Sequence, residues 1–396
     1  MAAKKYMVPM SSPDISEDDR QAVFETMQTR YLSIGPKIEA FERSFREFTG
    51  AAEAVGVNSG TSGLHLCVKA AGISEGDLVI TTPFSFVSST NVLLFERAVP
   101  VFVDVDPMTG NLDVAQVKQA VEDIISKDPG KLKKWLPKKI AVKTGPLKAI
   151  LSVDVFGQPA EYDQLQKIVS DHELTLIEDS CEALGAEYKH KKAGGFGDFG
   201  VFAFYPNKQV TTGEGGMVIT NNKEYADMLR ALRNQGRAPG DTWLQHTYLG
   251  YNYRLDELSA ALGISQMKRV NKLLNDRQRV ADWYNAKLSQ INGVEKPFVT
   301  TDTTRMSWFV YVIRLDKQID RDVLANKLDI AGIPVRPYFL PIHLQPYMVD
   351  LFGYQSGDYP VTEDIGNRSI ALPFSGIMTE EQVDLVCEKL SECLLN

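Results

Sequence analysis

Short runs of apolar, often β-branched residues alternate along the chain with longer segments whose apolar residues recur at helical spacing. The short runs predict six strands, at residues 54–57, 78–82, 99–105, 149–155, 174–177 and 217–220. The helical pattern occurs at residues 161–172 and 223–233, and near the start as a stripe of Ile38, Phe41, Phe45 and Phe48. Alternation of this kind is typical of a mainly parallel sheet covered by helices, so we predict an α/β fold.

From about residue 254 the alternation gives way to a long helix-like stretch that reaches Ile291. The chain has 396 residues, which is more than one hydrophobic core usually supports. We therefore predict two domains. Residues 1–262 are expected to form a large domain around the central sheet, and residues 263–396 a smaller C-terminal α+β domain.

Composition and charge narrow the classes of partner. Hydrophobic residues make up 44% of the chain and charged residues 24%, as in ordinary folded proteins. A net charge of -8 argues against nucleic acid as a partner, because such binding requires Lys and Arg to displace counterions. Residues 1–7 lack the apolar run of a signal peptide, and the roughly 18 consecutive apolar residues of a membrane span occur nowhere. We expect a cytoplasmic protein with neither nucleic acid nor a membrane as partner.

The spacing of cysteine and histidine residues does not indicate a metal site. Cys67, Cys181, Cys387 and Cys393 include no Cys-x-x-Cys pair, and the five histidines are scattered. Zinc sites and disulfide frameworks usually show such pairs at short spacing. We expect no metal, and we expect the four cysteines to be reduced packing residues.

Residues 195–200, Gly-Phe-Gly-Asp-Phe-Gly, match the G-x-G-x-x-G pattern of dinucleotide-binding proteins. In those proteins the motif follows a strand and opens a helix, whose N-terminus binds the pyrophosphate. Here the polar residues 188–193 precede the motif and the strand-like residues 201–204 follow it. The context therefore argues against a Rossmann-type oxidoreductase.

Three other features occur in an order that suggests a cofactor site. Residues 58–63, Asn-Ser-Gly-Thr-Ser-Gly, lie between a strand and a helix, where free N–H groups bind phosphate. Asp179 ends an apolar strand, and a carboxylate there can keep a pyridine nitrogen protonated. Lys208 follows the strand-like residues 202–204. Taken singly, these features are also explained as a connection, a helix cap and a solvated lysine; their order predicts pyridoxal 5'-phosphate (PLP) bound to Lys208.

The same features resemble the DegT/DnrJ/EryC1/StrS family of PLP-dependent nucleotide-sugar aminotransferases, which have the aspartate-aminotransferase fold (fold type I). The resemblance covers nearly the whole chain. It is carried by Gly35-Pro36 and by residues 58–63, 177–179, 206–208, 251–257 (Tyr-Asn-Tyr-Arg-Leu-Asp-Glu) and 343–347 (His-Leu-Gln-Pro-Tyr). It implies that the large domain binds PLP, which alternates with its aminated form PMP.

The resemblance also implies roles for individual residues and a homodimer with shared active sites. Lys208 is implied as the catalytic residue and aldimine lysine, and Asp179 as the partner of the pyridinium nitrogen. The other implied positions are Phe86 (stacked on the cofactor ring), Gly60, Thr61 and Ser62 (phosphate turn), Asn252 (phosphate of the neighbouring subunit), and Arg336 and His343 (substrate pocket).

Two positions depart from the common family pattern. Ala203 stands where many relatives carry a serine that binds the cofactor phosphate, so this bond must come from elsewhere. Glu182 stands where many relatives carry His or Gln against the cofactor ring. Glutamate occurs in members that resemble perosamine synthases, which points to a GDP-linked 4-keto sugar.

A lysine-rich segment interrupts the predicted elements. Residues 127–148 include eight lysines, in a chain that is acidic overall. A surface insertion explains the segment most simply. The alternative hypothesis is that these cations line the site mouth and attract a diphosphate-bearing substrate, since focused charge raises encounter rates.

The sequence thus predicts an aminotransferase that moves an amino group from glutamate to the C4 or C3 keto group of a nucleotide-linked deoxy sugar. Two alternatives stay open. A PLP- or PMP-dependent sugar dehydratase is similar in sequence, but it characteristically carries His in place of the anchoring lysine, and Lys208 argues against it. The other is a non-catalytic regulatory relative that keeps the fold.

Overall fold

The computed structural model of the protein describes residues 6–395, so the sequence features at residues 1–5 lie outside the described part. Fourteen strands form three sheets within this range. The strands are β1 (Glu53–Val57), β2 (Leu78–Thr81), β3 (Val99–Phe102), β4 (Leu147–Val153), β5 (Thr175–Asp179), β6 (Glu187–Tyr188), β7 (Lys191–Lys192), β8 (Phe199–Ala203), β9 (Gly216–Thr220), β10 (Val294–Glu295), β11 (Thr303–Arg305), β12 (Tyr311–Leu315), β13 (Arg336–Pro337) and β14 (Ser369–Leu372).

The central sheet has seven strands in the order β1-β9-β8-β5-β4-β2-β3. Only β9 runs antiparallel to its neighbours in this sheet, which confirms the predicted mainly parallel arrangement. A four-stranded antiparallel sheet, β10-β12-β14-β13, lies in the C-terminal part, and β11, β6 and β7 form a small third sheet. Parallel strands place their carboxyl ends at one edge, where α/β proteins collect ligand groups.

Helices surround these sheets, together with two 3₁₀ turns at Val155–Gly157 and Ile342–Leu344. The helices are α1 (Glu17–Met27), α2 (Pro36–Thr49), α3 (Gly60–Ala70), α4 (Ser88–Phe95), α5 (Val114–Ile125), α6 (Pro129–Trp135), α7 (Tyr162–His172), α8 (Lys223–Arg233), α9 (Glu257–Lys268), α10 (Val270–Leu288), α11 (Arg321–Ile330), α12 (Pro346–Phe352), α13 (Pro360–Arg368) and α14 (Glu380–Leu395). Within the described residues none of them is long and apolar enough to cross a membrane.

Two of the observed strands, β3 and β4, end at least two residues before the end of the predicted strand. Strand β3 stops at Phe102, because Asp104 leaves the sheet to accept N–H bonds from Val361 and Thr362 at the start of α13. Strand β4 stops at Val153, and the next residue, Asp154, is buried and hydrogen-bonded to side chains outside the sheet. Side-chain bonds to distant parts of the chain therefore override the local apolar pattern.

The predicted aromatic stripe belongs to α2, which buries Phe41 and Phe45 against the central sheet. The Glu257 carboxylate accepts hydrogen bonds from the Lys37 and Ile38 N–H groups, at 2.8 and 3.0 Å. These donors have no partner within the helix, so Glu257 caps it from α9. This contact joins the start of α2 to the segment of residues 251–257.

The long helix-like stretch after residue 254 is two helices, because the backbone leaves helical geometry at Arg269. The Arg269 guanidinium binds Asp14 and Asp19 near the N-terminus. Helix α10 then packs with α14 and the strands β12 and β14 in the core of the C-terminal part. The domain boundary at residues 262 and 263 stays a prediction, and it falls within α9.

Candidate active site

A cavity of about 450 Å³ lies at the carboxyl ends of the central strands. Its walls come from segments that follow strands β1, β2, β5 and β8, and from aromatic residues of the C-terminal part. The main lining residues are Ser59, Gly60, Thr61, Ser85, Phe86, Ser88, Asp179, Cys181, Glu182, Ala203, Tyr205, Asn207, Lys208, Phe309, Tyr338 and Phe339. The fold therefore brings together most of the positions that the sequence predicts for the cofactor.

The predicted phosphate turn is the N-terminus of α3. Ser59 caps this helix by accepting the Ser62 N–H at 3.0 Å, and the Ser62 hydroxyl donates to Asn58 Oδ1 at 2.6 Å. The N–H groups of Gly60 and Thr61 have no acceptor among the described residues, and both residues line the cavity. Two free donors at a helix N-terminus suit a phosphate group. Ser62 does not line the cavity, because its side chain is used within the turn.

Gly60 allows the backbone to come close to two neighbours. A Cβ atom at this position would lie 2.8 Å from the Cβ of Ala203 and 2.8 Å from the Sγ of Cys181. A carbon atom does not approach an unbonded carbon or sulfur atom this closely, so any other residue would push the turn away from β8. Ala203, which stands where many relatives have a phosphate-binding serine, therefore lies directly beside the turn.

Asp179 is the last residue of β5, as the sequence predicts, and its side chain is buried. Its Oδ2 accepts the Ser89 hydroxyl at 2.7 Å, and its Oδ1 accepts the Cys181 N–H at 3.2 Å. Both bonds fix the orientation of the carboxylate at the cavity wall. Sequence reasoning missed Ser89, although the run of serine and threonine at residues 88–90, just after Phe86 and Val87, was a signal.

The Lys208 amine lies between a carboxylate and an aromatic ring. Its Nζ atom is 3.7 Å from Glu182 Oε1 and 3.7 Å from the centre of the Phe309 ring. Burial raises the pKa of Glu182, and the nearby Lys208 charge opposes this. The other Glu182 oxygen accepts the Phe156 N–H at 2.9 Å. Phe309 is 101 residues from Lys208 and has no local motif, so the sequence did not reveal it.

Phe86 lies at the mouth of the cavity with 62% of its surface exposed, whereas its neighbour Phe84 is fully buried. A large exposed aromatic ring at a cavity wall suits the predicted stacking on a flat cofactor. Glu182 lines the same cavity. The cofactor-binding roles of both residues stay predictions.

Asn252 is exposed and does not line this cavity. The two flanking tyrosines stack on each other with ring centres 5.0 Å apart. Tyr251 donates to Glu96 at 3.0 Å, and the Tyr253 hydroxyl lies 3.1 Å from His65 Nδ1. The tyrosines thus anchor the segment to His65 on α3 and to Glu96 at the end of α4, and the Asn252 side chain remains exposed.

The two predicted substrate residues lie away from the cavity walls. Arg336 is exposed on β13, and its guanidinium donates to the carbonyl of Val335. His343 is fully buried, with Nε2 3.0 Å from Glu363 Oε1. Neither residue lines the cavity, so their substrate-binding roles stay predictions.

None of the eight lysines between Lys127 and Lys148 lines this cavity. The segment contains the short helix α6, held by its buried Trp135, whose indole N–H donates to Asp123 at 3.0 Å. Lys133, Lys134 and Lys138 line a second cavity of about 720 Å³ that shares no residue with the first. Within one chain, these positions favour the surface insertion over a role at the site mouth.

The glycine-rich loop at residues 195–200 serves a structural purpose. The buried Glu178 carboxylate accepts N–H bonds from Gly194 at 2.8 Å and from Phe196 at 2.5 Å, and also from Gly197. The loop leads into β8 rather than into a helix, as its sequence context predicts.

Comparisons with known proteins agree with this geometry. Residues 13–391 match the model of the DegT/DnrJ/EryC1/StrS aminotransferase family. The chain is 35% identical over 392 residues to GDP-perosamine synthase of Caulobacter vibrioides, and the match covers 98% of each protein. Among solved structures, Helicobacter pylori PseC, an aminotransferase of pseudoaminic acid biosynthesis, superposes with a TM-score of 0.85 at 28% identity, covering 98% of this chain and 99% of that one. The crystal structure of S. venezuelae DesV in complex with a ketimine intermediate superposes with a TM-score of 0.85 at 27% identity, covering 97% of this chain and 98% of that one.

Proposed function

The chain belongs to the DegT/DnrJ/EryC1/StrS aminotransferase family, and it is the PLP-dependent sugar aminotransferase that the sequence predicts. On this basis we propose the specific reaction that it catalyses. It transfers the amino group of glutamate to a keto carbon, C4 or C3, of a nucleotide-linked deoxy sugar. The observation that carries this proposal is the position of Lys208 in one cavity with Asp179 and the free N–H groups of Gly60 and Thr61.

The residues around the cavity fit PLP in charge and shape. Gly60 and Thr61 would bind the phosphate, Asp179 would hold a proton on the ring nitrogen, and Phe86 would cover one face of the ring. Lys208 would bind the aldehyde covalently. When bound, PLP supplies an electron-withdrawing ring that makes a proton on the neighbouring amino-acid carbon removable.

In this arrangement Lys208 moves the proton. When it is not bound to the cofactor, its Nζ atom would lie in the same cavity, near Glu182 and the Phe309 ring, where it could accept the proton and return it. Three aromatic residues of the C-terminal part, Phe309, Tyr338 and Phe339, form part of the cavity wall. The same residue thus serves both halves of a transamination.

Glu182 favours C4 over C3 as the position of amination. The sequence resemblance links glutamate at this position to members that resemble perosamine synthases, and the chain is 35% identical to one protein of that name. We therefore place GDP-linked 4-keto sugars first among the candidate substrates.

The test is a screen of nucleotide-linked 4-keto and 3-keto sugars with glutamate and PLP, analysed by mass spectrometry. We expect one keto sugar to gain an amino group in step with the formation of 2-oxoglutarate. Loss of a hydroxyl group without a gain of nitrogen would identify a dehydratase. The absence of any product, with no bleaching of the cofactor by glutamate, would identify a non-catalytic relative.

We also propose that the protein acts as a homodimer whose active sites are shared. Asn252 is exposed, and large apolar side chains are exposed in two segments, residues 31–34 and 243–249. These side chains are Tyr31, Leu32, Ile34, Trp243, Leu244 and Leu249. Exposed apolar patches of this kind mark contact surfaces, and a second copy of the chain would bring Asn252 to the partner's cavity.

Subunit mixing tests the shared site. Lys208→Ala and Asn252→Ala homodimers should each have little activity, because every site lacks one residue. After mixing, about half of the dimers are hybrids with one intact site, so activity should return to about a quarter of the wild-type value. A mixture that stays inactive although hybrids form would contradict the proposal.

A further inference from the structure

Arg277 lies on α10 with only 4% of its surface exposed. Its guanidinium donates to four backbone carbonyl groups. The Nη2 atom bonds the carbonyls of Asn207 and Lys208 at 3.0 and 2.8 Å. The Nη1 atom bonds those of Trp308 and Phe309 at 3.2 and 3.1 Å.

These carbonyls belong to two segments that meet at the candidate active site. One segment carries Lys208, whose amine faces the cavity. The other carries Phe309, whose ring lies 3.7 Å from that amine. Arg277 therefore joins the backbone of the lysine to the backbone of the ring that covers it. A contact between the large domain and the C-terminal part is fixed at the same point.

The charge of Arg277 is balanced in an unusual way. No carboxylate among the described residues bonds its guanidinium, and the adjacent Asp276 is already paired with Lys272 and Arg279. Burial lowers the pKa of Arg277 to about 10, which is still far above neutral pH. A buried cation without a counterion is costly, and here the four carbonyl dipoles offset that cost together with the Phe374 ring, whose centre lies 5.8 Å from the guanidinium carbon.

Only arginine has the shape for these four bonds. Its planar guanidinium holds two N–H pairs in a rigid fork, so each nitrogen can reach a separate pair of carbonyls. A lysine ammonium donates three bonds from a single point and cannot span both segments. A residue that only packed against its neighbours could be uncharged, so the buried charge indicates that the hydrogen bonds of Arg277 matter.

We propose that Arg277 is a positioning residue for Lys208, which holds the lysine backbone and the Phe309 backbone at a fixed separation through the reaction. This inference rests on the proposed function of Lys208. During transamination the amine must leave the cofactor and return to the same carbon. With the backbone clamped, only the torsions of the Lys208 side chain change, so the amine stays within reach of both positions.

The test compares Arg277→Lys and Arg277→Met with Arg279→Lys, a matched change on an exposed part of the same helix. The first measurement uses protein without cofactor. Acetic anhydride is applied at one fixed pH, and the rate of labelling at Lys208 is read by peptide mass spectrometry. The second measurement is kcat and KM with the substrate found by the screen. Thermal midpoints identify any variant that does not fold.

We expect both Arg277 variants to change the labelling rate of Lys208 and to lower kcat by at least about tenfold with little change in KM, because a misplacement of ~1 Å can cost ~100-fold in rate. Arg279→Lys should leave both unchanged. If Arg277→Met does not fold, Arg277→Lys alone decides. A folded Arg277→Lys protein with wild-type labelling would overturn the inference, whether or not a substrate has been found.

Discussion

The Nζ atom of Lys208 lies 3.7 Å from Oε1 of Glu182, and both side chains are nearly buried in the candidate active site. Burial raises the pKa of Glu182, so this carboxylate loses its charge at a higher pH than an exposed glutamate does. As pH falls through that raised pKa, Glu182 is protonated and its attraction to Lys208 is lost. The pH dependence of the enzyme should therefore report on this pair.

We predict that Glu182→Gln removes an acid limb from the pH profile of kcat. The wild-type protein should lose activity as pH falls, because Glu182 becomes neutral. The loss should begin at a pH above the usual pKa of an exposed glutamate. Glutamine is uncharged at every pH and keeps a similar shape, so its profile should be flat over that interval. Glu182→Asp, which keeps the charge, serves as the control and should retain the limb. Identical wild-type and Glu182→Gln profiles would show that Glu182 does not titrate in the reaction.

Ala203 lies beside Gly60 in the phosphate turn and offers no hydroxyl group. We predict that Ala203→Ser tightens the binding of PLP, because one added hydrogen bond to a charged phosphate contributes about 1.5 kcal/mol, or roughly tenfold in affinity. Fluorescence titration of the protein with PLP measures the dissociation constant. Ala203→Cys, which has a similar size but a weak donor, should bind as the wild-type protein does. Equal tightening by serine and cysteine would mean that size, and not the hydroxyl, is responsible.

Glu96 supports the Tyr251–Tyr253 segment through bonds from His65, Lys69 and Tyr251. Burial opposes its ionisation, but these donors outweigh burial and lower the pKa of Glu96. A lowered carboxylate pKa contributes stability above the unfolded value of about 4.3, and this contribution is lost as pH falls through the folded pKa.

We therefore predict that Glu96→Gln lowers the thermal midpoint at pH 7, and that the difference from the wild-type protein shrinks as pH falls below about 4.3. A change of about 1–3 kcal/mol in unfolding free energy is expected at neutral pH, since the buried His65 and the partly buried Lys69 and Tyr251 lose a charged acceptor. Glu75→Gln, which alters an exposed pair with Arg97, should have little effect at either pH. A difference for Glu96→Gln that does not depend on pH would contradict this account of the cluster.

The parts of the fold that follow from local pattern were predictable from the sequence. The strands of the central sheet have continuous apolar runs because they are buried on both faces, and Phe41 and Phe45 recur at the helical period. The apolar runs also locate Asp179 and Lys208, since Asp179 ends strand β5 and Lys208 follows strand β8. Both residues are therefore expected at the same edge of the sheet. Strand order then brings them together.

Other parts of the site depend on contacts between distant segments, which leave no local pattern. Phe309 and Arg277 reach Lys208 from 101 and 69 residues away along the chain, and neither lies in a recognisable motif. The break at Arg269 was equally hidden, because the helical period continues on both sides of it. The position of His343 in the sequence matches the family pattern. Its contact with Glu363, 20 residues further along the chain, could not be predicted from that pattern.

The central claim is that Lys208 binds the cofactor covalently, and one measurement tests it most directly. The protein is incubated with PLP, the linkage between the cofactor aldehyde and the amine is reduced with borohydride, and the modified peptide is sequenced by mass spectrometry. Lys208→Ala serves as the control, and it should also have no transaminase activity. We predict that the phosphopyridoxyl group is found on Lys208 and is absent from the variant; a group found on another lysine, or a Lys208→Ala protein that is still labelled and active, would contradict the claim.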